Sequence, residues 1–207
     1  MKPTDSQSAG RRGTGKAQGP QAPSAWVARF AALVAPGAPV LDLACGGGRH
    51  TRLFLERGHP VLAVDRDLSR LAAPEGDPHL EVLACDLETG QGEAGSLPAF
   101  FQRRFGAIVV TNYLHRPLFG PIAEALAPGG VLIYETFAQG NERFGKPSNP
   151  HFLLYDGELL EAFQDRLTIV AYENVIVEKP APAAVQRLCA QAQEASTEAS
   201  SKRPEKA

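Results

Sequence analysis

The stretch Pro39-Val40-Leu41-Asp42-Leu43-Ala44-Cys45-Gly46-Gly47-Gly48-Arg49-His50-Thr51-Arg52-Leu53-Phe54-Leu55-Glu56-Arg57-Gly58 decides the fold. An apolar run suited to a strand leads into three consecutive glycines, and beyond them apolar residues return at helical spacing. The pattern predicts a strand, a tight turn and a helix. Consecutive glycines permit positive φ and leave no Cβ in the way of a ligand. The free N–H groups of the helix's first turn then offer a carboxylate or phosphate a place to bind. A glycine-rich turn alone names no ligand, so its neighbours decide.

The next apolar run, Pro60-Val61-Leu62-Ala63-Val64-Asp65, closes on a carboxylate. At the end of the second strand of such a unit, Asp65 is placed to accept hydrogen bonds from ribose hydroxyls. A nicotinamide-binding domain and a methyltransferase both satisfy this much. Asp42 and Thr51 separate them. Thr51 stands where the dinucleotide fingerprint needs its third glycine. Asp42 puts a carboxylate in the turn that a pyrophosphate would occupy; Coulomb repulsion opposes the pyrophosphate, but not a ligand with an amino group and a sulfonium.

Asp42-Leu43-Ala44-Cys45-Gly46-Gly47-Gly48 resembles the first motif of the class I S-adenosylmethionine-dependent methyltransferases, Asp/Glu-x-Gly-x-Gly-x-Gly. Ala44 replaces the first glycine, which requires negative φ at that position. With Gly48-Arg49-His50 and Gly58 to Asp65, the chain is most similar to the small bacterial group containing the tellurite-resistance and thiopurine methyltransferases. The resemblance spans roughly residues 26–190 and is specific for the cofactor, S-adenosylmethionine. It implies that Gly46 and Gly48 admit the methionine part, with Asp42 near its amino group and Arg49 near its carboxylate. Ala44 and Asn112 complete that wall. It also implies that Asp86 and Leu87 meet the adenine, Asp86 accepting from its amino group; the rival role for Asp86 is an acidic cap.

The whole chain has 207 residues, enough for one α/β domain with a sizeable core. Twenty-one basic against twenty-three acidic residues give no reason to expect a polyanionic partner such as nucleic acid. Cys45, Cys85 and Cys189 are odd in number and widely spaced, against a disulfide framework or a metal centre and in keeping with a reducing cytoplasm. No apolar run is long enough to cross a membrane. The composition of residues 1–24 and 191–207 predicts disordered tails around a domain at 25–190, the first of them carrying Lys2, Arg11, Arg12 and Lys16.

Alternating patterns predict a Rossmann-like, doubly wound α/β sheet of seven strands, mostly parallel, and the resemblance implies an antiparallel C-terminal edge strand. Helices are expected at 25–33, 67–72, 97–104, 117–127 and 157–163. Strands after the second are expected at 80–86, 105–112, 131–136, 167–177 and 184–189, although 183–190 reads equally well as a helix. Residues 137–156 form a long polar loop, a length that marks a lid or binding loop.

Ligands of such sheets bind beyond the carboxyl ends of the strands. The acceptor candidates therefore follow the fourth and fifth strands. His115 suits a general base near neutrality, and Tyr113 or Tyr134 can present an aromatic face to a sulfonium. Arg116, Arg143 and Lys146 together suggest an anionic group on the acceptor. The sequence around Asn112 lacks the Asn/Asp-Pro-Pro-Tyr/Phe pattern of enzymes methylating planar amines of nucleic-acid bases. The expected activity is methyl transfer to a small molecule; the rivals are an RNA or protein methyltransferase and a catalytically inactive cofactor-binding subunit.

Overall fold

One sheet of seven strands runs in the order β3-β2-β1-β4-β5-β7-β6 in the computed structural model, which describes residues 21–74, 76–89 and 97–195. The strands are β1 Val40–Leu43, β2 Val61–Asp65, β3 Leu80–Ala84, β4 Phe105–Thr111, β5 Leu126–Phe137, β6 Thr168–Val177 and β7 Ala183–Gln191. The first five are mutually parallel, and β7 runs antiparallel to both β5 and β6. The expected doubly wound sheet is present. Its antiparallel C-terminal strand is the inner member of the β5-β7-β6 edge, with β6 outermost.

Strand alternation sorts the core into two layers. Leu41, Leu43, Ile108, Val110, Leu132 and Tyr134 face one side, where α3 (Phe119–Glu124) and α4 (Glu158–Phe163) bury Ile122, Leu159 and Phe163. Val40, Ala107, Val109, Val131 and Ile133 face the other, against Trp26, Val27 and Phe30 of α1 (Ala25–Phe30) and Phe54 of α2 (Arg49–Glu56). Burying a side chain the size of Leu or Phe contributes about 1.5–3 kcal/mol. Asp42, Thr111 and Glu135 continue the second face by parity, so their side chains belong under α1 and α2.

Several expected elements differ. The segments 67–72 and 97–104 supply only single 3₁₀ turns, Leu68–Arg70 and Ala99–Gln102. The helix expected over 117–127 ends at Glu124, because β5 starts at Leu126, paired with Phe105 ahead of a register shift. The strand expected at 184–189 is present as Ala183–Gln191, and its helical alternative is not: hydrogen-bonded neighbours on both sides make an apolar run of that kind a central strand.

The domain limits move outward. Ser24, placed in the tail by composition, is buried and caps α1 through its Oγ, and Gln191 pairs with both Val131 and Thr168. Residues 21–23 and 192–195 of the expected tails are also described, while 1–20 and 196–207 lie outside the described residues. Among the described residues no helix is long and apolar enough to cross a membrane.

Candidate cofactor and acceptor cleft

The chain after each of the first four strands, and the end of β5, contributes to one open cleft of about 1130 Å³. It lies where the strand order reverses beside β1, between β1 and β4. Ala44, Gly46 and Gly47 come from the turn after β1 and Arg49 from the start of α2. Asp65 closes β2, Asp86 and Leu87 follow β3, and Asn112 and Tyr113 follow β4.

The glycine turn is held by Asp65. Its Oδ2 accepts from the Gly46 N–H at 2.8 Å and its Oδ1 from the Asp67 N–H at 3.0 Å, so the carboxylate ties the turn after β1 to the end of β2. A Cβ at Gly46 would meet nothing within 4 Å, which leaves its backbone open to the cleft. Gly48 has a different task. It has φ of +72° at the N-cap of α2, and a Cβ there would sit 2.5 Å from the Leu71 Cδ1, so it provides close packing rather than cleft wall.

Ala44 departs from expectation, with φ of +57° instead of a negative value. The left-handed region crowds an L side chain's Cβ against the following carbonyl. Ala44→Gly should therefore raise stability by about 0.5–1 kcal/mol, the relieved crowding exceeding the glycine's extra unfolded-state entropy. Urea denaturation of both proteins measures it, and equal midpoints would show that the turn carries no such crowding.

Asp42 is also placed differently from expectation. Its parity directs it beneath α2, 1% exposed, where its Oδ2 accepts from the Thr51 hydroxyl at 2.6 Å. Thr51 thus serves the strand–helix packing. Burial pushes the Asp42 carboxyl up to about 6, against the Thr51 hydrogen bonds that lower it. A raised folded-state pKa gives a contribution fully present below the unfolded value near 4 and lost as pH rises through about 6. Between those limits the protein should lose about 2 kcal/mol relative to Asp42→Asn. Paired denaturation curves across that window test it, and a constant difference between the two proteins would refute it.

His50 was not singled out as a site residue. It is buried, and its Nε2 accepts the Ser24 N–H at 3.1 Å. The proton therefore sits on Nδ1, which faces the Thr111 Oγ1 at 3.4 Å. Burial, aided by the Arg49 charge, pushes the ring down to about 3, so it stays neutral. Beside it the Ser24 hydroxyl donates to Glu135, whose other oxygen receives Arg187 at 2.5 Å. This network anchors residues 21–24 at the cleft, where Gln21 forms part of the wall and its carbonyl accepts from Arg52. The available signal was the i, i+4 spacing of His50 and Phe54, which puts both on the buried face of α2.

Of the acceptor candidates, only Tyr113 reaches the cleft wall. Its hydroxyl is buried without a hydrogen-bond partner among the described residues, and burial raises it above the usual phenol range, with Glu88, Asp86 and Asp65 adding to the effect. Those neighbours place it toward the β2–β3 side. Tyr134 packs in the core against Phe119 and Phe163, and its hydroxyl donates to the Tyr113 carbonyl at 3.0 Å. His115 lies off the wall at the head of a 3₁₀ turn, its carbonyl accepting from Leu118.

Arg116 is saturated by protein groups. Its Nε and Nη2 grip both oxygens of Glu158 at 2.5 and 2.9 Å, while Nη1 and Nη2 donate to the carbonyls of His151 and Leu153. Arg143 bonds the Gly140 carbonyl in its own loop, and Lys146 is exposed beside the wall residue Pro147 without lining the cleft itself. The long loop is stapled as well: Asn141 donates to the Pro147 carbonyl, and Ala138 bridges to Leu154. Pro147 and Phe152 are what it contributes to the cleft.

This architecture is the fold of the class I S-adenosylmethionine-dependent methyltransferases. Among the solved structures that share it is the N-methyltransferase NodS of Bradyrhizobium japonicum, 17% identical over 81% of this chain and 94% of that one, with a TM-score of 0.60. TehB of Haemophilus influenzae is 17% identical over 81% of this chain and 61% of its own, with a TM-score of 0.61. The 1,6-didemethyltoxoflavin N1-methyltransferase of Burkholderia thailandensis is 22% identical over 82% and 76%, with a TM-score of 0.53. No family model and no curated protein sequence matches the chain.

Proposed function

We propose that the protein is an S-adenosylmethionine-dependent methyltransferase acting on a small molecule. The observation that carries this reading is the convergence of Ala44, Gly46, Arg49, Asp65, Asp86, Leu87 and Asn112 on one cleft at the strand-order reversal. The wall fits the cofactor's parts. Asp65 faces the cleft with lone pairs left for ribose hydroxyls, although each oxygen already accepts one backbone N–H. Arg49 stands at the N-terminus of α2 for a carboxylate, where its charge and the helix's free N–H groups act together. One oxygen of Asp86 caps the Glu88 N–H, so the capping role and the adenine role are compatible.

When bound, the cofactor supplies an electrophilic methyl group on a sulfonium. The chain's part is to hold it in line with the acceptor and to keep water out. Calorimetric titration with S-adenosylmethionine, S-adenosylhomocysteine and NAD tests the reading. The first two should bind and NAD should not. Failure of both sulfur ligands to bind would overturn it.

A further inference from the structure

The charges on the cleft wall are unevenly shared. Among the described residues, Arg49, Asp65, Arg66, Arg70, Asp86 and Glu88 are its charged members, and all follow β1, β2 or β3. The half built by β4, β5 and the long loop consists of Thr111, Leu114, Thr136, Phe137, Pro147 and Phe152, with Asn112 and Tyr113 at the boundary. The cations near that half are engaged or off its wall: Arg116 on Glu158, Arg187 on Glu135 and Glu173, Arg143 on Gly140, and Lys146 exposed beside Pro147 but not lining the cleft. No carboxylate or imidazole stands on it among the described residues, and both ring nitrogens of His50 face protein partners.

We infer that the acceptor is an uncharged molecule with a flat apolar body, methylated at an atom that brings its own lone pair. This rests on the methyltransferase reading and replaces the anionic acceptor expected from Arg116, Arg143 and Lys146. An anion entering this half would lose its hydration with no cation on the wall to meet it. A flat apolar body instead gains contact with the Phe137 and Phe152 rings and Pro147. The chemistry agrees with the missing base. The sulfur–methyl bond breaks with its electron pair returning to sulfur, while the acceptor's lone pair forms the new bond to carbon. No proton has to leave first, and the positive charge passes from sulfur to the product without changing the net charge of the cleft. Aromatic rings on the wall favour that cation.

The test uses the full chain saturated with S-adenosylhomocysteine and two matched probes, quinoline and quinoline-6-carboxylate, with selenite as an inorganic oxyanion. Ligand-observed NMR should show quinoline bound on the order of tenfold more tightly than its carboxylate, the discrimination expected when a charge is desolvated without a partner. With S-adenosylmethionine, quinoline should be methylated at its ring nitrogen. Thr136→Lys, which places a cation on the uncharged half, should reverse the preference toward quinoline-6-carboxylate. Binding of the carboxylate or of selenite as tightly as quinoline, or binding of none of the three while S-adenosylhomocysteine binds, would overturn the inference. A chain that binds no S-adenosylhomocysteine would instead defeat the methyltransferase reading itself, so the two failures are distinct.

Discussion

Replacing Arg116 with alanine should lower folding stability by about 3–5 kcal/mol, because it leaves a buried carboxylate without its partner. Glu158 has only 4% of its side chain exposed, and among the described residues it accepts, apart from Arg116, only the Tyr155 N–H. Truncation would also free the carbonyls of His151 and Leu153. Arg116→Lys should recover only part of the loss, since an ammonium cannot grip both carboxylate oxygens and two carbonyls in one plane. The double replacement Arg116→Met with Glu158→Gln should be milder than Arg116→Ala alone, because no unpaired charge remains. Urea denaturation of the three variants decides it. A loss below about 1 kcal/mol for Arg116→Ala would mean the pair behaves as a surface ion pair.

Asp65→Ala should weaken S-adenosylmethionine binding by about 2–4 kcal/mol through the loss of charge-assisted bonds to the ribose. The same change releases the Gly46 and Asp67 N–H groups, so the glycine turn loses its tie to β2 as well. Asp65→Asn separates the effects: its remaining carbonyl oxygen can still accept from one N–H, but the negative charge is gone. Calorimetry should find Asn intermediate between wild type and Ala. Affinity unchanged in both variants would remove Asp65 from the cofactor site.

The central strands were legible because a strand paired on both sides and covered on both faces must be apolar throughout, as at 105–111. That Ala44, Gly46, Arg49, Asp65, Asp86, Leu87 and Asn112 line one cleft was legible because they sit within a few positions of strand ends, where local pattern locates them. The acceptor side was not. Arg116 meets Glu158 across 42 positions, and nothing in the sequence announces that pairing. Tyr134 was read as a strand-end residue, but the strand continues to Phe137, which leaves it on the face packed by α3 and α4. Asp42 could have been assigned from parity with Val40, because both point toward α2. The short helices failed for another reason: one turn of 3₁₀ structure buries too little surface to impose a period on its sequence.

The place of β7 between β5 and β6 governs the order in which the sheet can be completed during synthesis. A ribosome delivers β6 before β7, yet β6 has no ladder partner other than β7 among the described strands. Until residue 191 is made, the outer edge of β5 stands open and the apolar residues of β6, Val170, Val175 and Ile176 among them, lack a sheet to join. A released chain truncated between residues 177 and 183 therefore carries one unpaired edge and one unpaired strand, the combination that recruits neighbouring chains. Such truncated chains should aggregate, and extending them through Ala183–Gln191 should restore solubility.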